Sequence, residues 1–249
     1  MPLRPRTVMN ATRPRLAFTV LELMLVIIIA AVLAVLSWAA LGSISRRGEN
    51  LRCVNHLRQI GVAIHAYAGE FHGMVLPRNY GLHRSKDDPD KPTGAERAWY
   101  SRLYYRQYVA DPAIFSCPSL PLYPKGAKPT PIRNAGAETY AMRSWVVPGN
   151  AWEPQSEEHK PLSAITEPAN FFLIVDSVWL SSRNQGYGVA PGNKDQNIHV
   201  RHNGKANALF ADGHVEAKPA AYFRELGSGS QAQYGTGRDF SVWEDAQLP

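Results

Sequence analysis

The stretch that most constrains this chain is FTVLELMLVIIIAAVLAVLSWAAL, residues 18–41. Leu23 to Leu36 contain no polar side chain, and Ser37 is the only polar residue between there and Leu41. A helix of roughly 20 apolar residues at 1.5 Å rise spans a hydrocarbon core of about 30 Å, so the run predicts a membrane-spanning helix. Arg4, Arg6, Arg13 and Arg15 precede it without any acid. That asymmetry predicts a cytoplasmic N-terminus and an exported remainder. The apolar core is longer than the 7–15 residues typical of a signal peptide, which favours an anchor over a cleaved secretory leader. Glu22 lies just inside the run, and an acid at such a place is costly enough to suggest a role.

Ala17-Phe18-Thr19-Val20-Leu21-Glu22 resembles the processing signal of type IV pilins and type II secretion pseudopilins: small residue, cut, Phe, Thr, two apolar residues, Glu. The resemblance implies that a prepilin peptidase cuts between Ala17 and Phe18 and methylates the new Phe18 amine. It also implies that Glu22 pairs with the Phe18 amine of a neighbouring pilin or pseudopilin subunit during assembly. Ala17 stands where the family usually carries Gly, and no Pro follows between Phe18 and Glu49. The implied organisation is a leader (1–17), a transmembrane helix (18–41), its continuation (42–73) and a periplasmic α+β domain (74–249). The corresponding fold class is α+β, with a long N-terminal helix, membrane-spanning in its first half, packed on a small antiparallel β-sheet domain. The expected location is the bacterial inner membrane, single-pass, with the C-terminal domain in the periplasm.

Charge adds little beyond topology. The net charge is +6, but residues 1–17 hold four Arg and no acid, which leaves 23 basic against 21 acidic side chains. No basic face is left to argue for nucleic acid.

Leu51, Val54, Leu57, Ile60, Ile64, Tyr67 and Phe71 recur at helical steps, with Gly73 as the stop. Residues 78–98 are polar and broken by Pro and Gly. Asp87, Asp88 and Asp90 there match no EF-hand spacing and read as a solvated charge run, with a loop calcium site as the lesser alternative. Strands are predicted at 139–147 and 170–177, the second apolar on both faces and ending at Asp176. The only cysteines are Cys53 and Cys117. An oxidising periplasm permits their disulfide, and two separate thiols are the alternative. No Cys/His spacing of a zinc module is present.

Residues 199–218, HVRHNGKANALFADGHVEAK, contain His202, nine residues, then Asp212-Gly213. This resembles the H-X9-DG signature that accompanies pilin-type leaders in a large bacterial family. Asn203-Gly204 and Asp212-Gly213 predict two two-residue turns and a three-stranded meander, with Ala211 opposite His214. Lys205 to Asp212 then covers about 23 Å at 3.3 Å per residue, which puts His202 and Asp212 at opposite ends. The motif therefore reads as structural, and a metal or acid–base site from His199, His202, Asp212 and His214 as the lesser alternative. Gly227-Ser228-Gly229 lacks a surrounding strand and helix and reads as a plain loop.

No catalytic residue, metal or cofactor is expected. The chain reads as a pseudopilin-like subunit whose partners are prepilin peptidase, other pilin or pseudopilin subunits and the inner membrane. The competing class is a tethered periplasmic binding module or hydrolase, which a converging pocket of Asp176, His199 and His202 would favour.

Overall fold

The computed structural model describes residues 19–76, 78, 98–120, 139–144, 160–181, 184–190, 193–226 and 241–243, with backbone alone for 37–46 and 160. Helix α1 runs Val20–Glu70. It opens on a reciprocal cap: the Thr19 N–H donates to Glu22 Oε2 at 3.0 Å, and the Glu22 N–H donates to Thr19 Oγ1 at 3.3 Å. This is a capping box, which satisfies two of the backbone donors that every helix start leaves open. At the other end His72 and Gly73 take positive φ, and the Gly73 N–H reaches Ala68 O at 2.7 Å. Backbone contacts divide the chain into two compact units, Met1–Ser45 and Arg46–Pro249. In the first, every described residue of 20–36 is exposed.

In the second unit α1 supplies Cys53, Leu57, Ile60, Ile64 and Tyr67, all fully buried. The predicted stripe is displaced by a small rotation, for Leu51 is 62% exposed and Cys53 takes its place facing inward. The strands are β1 (Met74–Val75), β2 (Ala141–Arg143), β3 (Lys160–Pro161), β4 (Phe172–Val175), β5 (Ser177–Trp179), β6 (Gly188–Val189), β7 (Gln196–His199), β8 (Lys205–Phe210), β9 (Val215–Pro219) and β10 (Val242–Trp243). Short helices α2 (Trp99–Tyr105) and α3 (Ala220–Glu225) complete the order. The largest sheet runs β6-β2-β4-β8-β9, a second runs β10-β7-β5, and β1 pairs with β3. Strand β8 is buried on both faces. Leu209 and Ala211 join the cluster that holds Leu57, Ile60 and Ile64, while Ala206, Ala208 and Phe210 join Phe223 and Leu226.

Three expectations are corrected. The sheet is not one small antiparallel one: β2–β6 and β7–β10 are parallel, and the strands are divided among three sheets. Nor is the long helix packed along its length on the sheet domain, since 20–36 is exposed and burial begins in the second unit. Finally, among the described residues no helix is long and apolar enough to cross a membrane. Within 20–36 the apolar run carries the acid Glu22, which is engaged in the helix-start cap with Thr19. The membrane-spanning first half and the single-pass inner-membrane location fall with that finding.

Two local predictions are also revised. The 170–177 strand is two strands, because the chain leaves the large sheet after Val175 and enters the second at Ser177. The meander is likewise broken, with β7 in one sheet and β8 in the other. Asn203 and Gly204 both have positive φ, and His202 and Lys205 exchange backbone hydrogen bonds, so the predicted two-residue turn forms there. At the other end only Gly213 has positive φ, and the Phe210 N–H donates to His214 O. That is a three-residue turn with the glycine in the left-handed region, and it puts Phe210, not Ala211, opposite His214.

Candidate functional site: a buried cysteine–histidine–aspartate centre

Two segments of chain change sheets at the same place. β4 gives way to β5 at Asp176, and β7 gives way to β8 through Val200–Gly204. A strand that leaves a sheet leaves backbone donors and acceptors behind, and buried ones must find partners. Polar side chains supply them here. Asp176 Oδ2 accepts the Asn207 N–H at 2.8 Å, and the Asp176 carbonyl accepts the His199 N–H at 3.0 Å. Arg201 donates through its Nη2 to the Ser177 carbonyl.

His202 projects into this crossing. Its Nε2 lies 3.3 Å from Asp176 Oδ2 and 3.3 Å from Cys117 Sγ. Asp176 is fully buried and the His202 side chain is 5% exposed. Arg201 Nε stands 3.9 Å from Asp176 Oδ1. Burial alone would push the Asp176 carboxyl up. Arg201, His202 and the Asn207 N–H outweigh it and hold the group below the usual carboxylate range. Tyr140, whose hydroxyl donates to the Cys53 carbonyl at 3.4 Å, is pushed well up by burial and by the Asp176 charge.

Cys53 on α1 and Cys117, just past a short 3-10 turn at Pro112–Phe115, are joined as a disulfide with a Cα–Cα distance of 5.2 Å. Both are fully buried. Gln185 fixes the Cys117 backbone by accepting its N–H at 3.0 Å and donating to its carbonyl at 2.9 Å. His56 Nδ1 meets Ser116 O at 3.0 Å. Sequence reasoning had no signal for Gln185 or Arg201, because both are polar residues in turn-like stretches whose partners come from distant elements.

The arrangement limits the chemistry. A Cys–His–Asp relay requires the sulfur and the carboxylate on opposite ring nitrogens, so that one orients what the other activates. Here both lie on the same Nε2. Of the residues named for a hydrolytic pocket, Asp176 and His202 meet, while His199 joins through its backbone.

Asp212 takes no part. Its Oδ1 sits 2.6 Å from His214 Nδ1 on the surface, at the far end of β8. Gly213 docks beneath α1, where a Cβ would lie 3.4 Å from His65 Nε2. The H-X9-DG spacing thus fastens β8 at both ends, His202 into the crossing and Gly213 against the helix. Glu22 is exposed, and its carboxyl is held below the usual range by the Thr19 N–H and hydroxyl. Ala17, Phe18, the Asp87–Asp90 acids and Gly227–Gly229 lie outside the described residues. Set against protein-family models, curated proteins and solved structures, the chain matches none.

Proposed function

We propose that the chain is a pilin-like subunit, processed between Ala17 and Phe18 by a prepilin peptidase and assembled through its N-terminal helix with other pilin or pseudopilin subunits. The filament would be of the type II secretion or type IV pilus kind, and the work mechanical rather than catalytic. One observation carries this reading. Residues 20–36 expose an apolar surface on every side, with Ile27 at 59%, Ile28 at 57% and Leu33 at 58%. Contiguous apolar surface of that extent marks an interaction site, since isolated exposed hydrophobic residues need no partner but a whole helix of them does. A hydrolytic role is disfavoured by the burial of Asp176 and His202, which leaves their reacting atoms almost no face for a substrate.

The test is the mass of the mature N-terminus in cells with and without prepilin peptidase. The reading requires a chain beginning at methylated Phe18 only when the peptidase is present; an intact leader in both strains would overturn it.

A further inference from the structure

His202 Nε2 is 3.3 Å from both a sulfur and a carboxylate oxygen. A neutral ring nitrogen is either a donor or an acceptor, and a disulfide sulfur, which carries no hydrogen, can only accept, and weakly. Hydrogen bonding to Asp176 is the stronger of the two contacts, and the sulfur contact is a weak one in the oxidised chain. The Cys53 Sγ, Cys117 Sγ and His202 Nε2 atoms all lie within 4.8 Å of one another. In a tetrahedral zinc site, bonds of about 2.0–2.3 Å put neighbouring ligand atoms roughly 3.3–3.8 Å apart. The 3.3 Å between His202 Nε2 and Cys117 Sγ matches such an edge.

We propose that the reduced form of this centre is a zinc site, with Cys53, Cys117 and His202 as ligands and a water in the fourth position. The disulfide first takes two electrons and two protons from a dithiol, which leaves as its own disulfide. Zn²⁺ then displaces the two thiol protons to solvent and binds the two thiolates. The charges balance in the buried site. Two thiolates and the neighbouring Asp176 carboxylate meet the dication and the Arg201 guanidinium, whose Nε stands 3.9 Å from Asp176 Oδ1. The donor set, two sulfurs with an imidazole, suits a soft-to-borderline cation and not Ca²⁺ or Mg²⁺. Exchange with an external disulfide, which takes the two electrons and, with two protons from solvent, leaves as its dithiol, releases Zn²⁺ and restores the cross-link, so the same two cysteines hold α1 to the 117 turn in either state.

The experiment uses the full chain in mild detergent, reduced with a phosphine, exchanged into oxygen-free buffer and titrated with Co²⁺. The expected result is one equivalent of tetrahedral Co²⁺ with a thiolate charge-transfer band, displaced by Zn²⁺ and absent from the oxidised chain. His202→Ala should weaken Co²⁺ by at least about tenfold, since even outer-shell partners contribute that much. No tetrahedral signal in the reduced chain, or equal affinity in His202→Ala, overturns the proposal. Should that variant fail to fold by circular dichroism, X-ray absorption of the zinc-loaded wild type decides. Two sulfurs with two nitrogen or oxygen neighbours support the site, and any other shell contradicts it.

Discussion

Two stretches of one helix, 20–36 and 53–67, both carry many large apolar residues and meet opposite fates. In the first, apolar side chains occupy nearly every position and all are exposed. In the second they occur at three- and four-residue steps, and Cys53, Leu57, Ile60, Ile64 and Tyr67 have no accessible surface. The polar residues between them, such as Arg58 and Gln59, stay in solvent. A stripe specifies one neighbour and one face, whereas an all-round apolar surface specifies only that something must cover it. The packed stretch is therefore where the sequence determines a unique intramolecular partner, and the bare one leaves its partner unspecified.

The sharpest way to break the contrast is to unfasten the packed stretch. Cys53→Ser removes a cross-link between residues 64 apart, worth about 4 kcal/mol in the chain-entropy model. Urea unfolding of the oxidised chain should show that loss, with 20–36 unaffected in helix content. Asp176→Asn comes next. It leaves Arg201 buried beside a neutral amide and should cost on the order of 3 kcal/mol at neutral pH. The sign of its pH dependence follows from the depressed native carboxyl. The stabilisation is present above about pH 4, the unfolded value, and is lost as pH falls toward the native one. Stability measured on the acid side should therefore drop more steeply in the wild type than in Asp176→Asn.

Gly213→Ala puts a Cβ at φ +92 and against His65, which should cost about 1–2 kcal/mol in the same assay. The smallest effect belongs to the bare stretch. Ile28→Ala should stay within about 0.5 kcal/mol, while the same change at Ile60 costs about 2–5 kcal/mol. A large loss at Ile28 would mean that the bare surface has a partner within its own chain.

Much of the packed half was legible in the sequence. The 51–71 periodicity, the stop at Gly73 and the Asn203-Gly204 turn follow from local rules, and local rules suffice there because each depends on neighbours in the chain. Asp176 and His202 could be singled out separately, but their meeting depends on two strand pairs exchanging sheets at one point. Local pattern carries no information on that. The Asp212-Gly213 register slipped by one residue because the dipeptide fits both a two-residue turn and a three-residue turn with Gly213 alone in the left-handed region. Glu22 shows the converse. Thr19 and Glu22 have the spacing of a capping box, a local role that the filament resemblance hid. Gln can serve in a capping box as well, so Glu22→Gln separates the cap from the charge.

The most direct measurement places a photoreactive side chain at Ile29 in cells that carry prepilin peptidase and compares Glu22 with Glu22→Gln. A ladder of crosslinked subunits that disappears in Glu22→Gln, with helix content unchanged, is the expected result. Monomer alone in both chains, or the same ladder in both, would contradict assembly through this surface and its single acid.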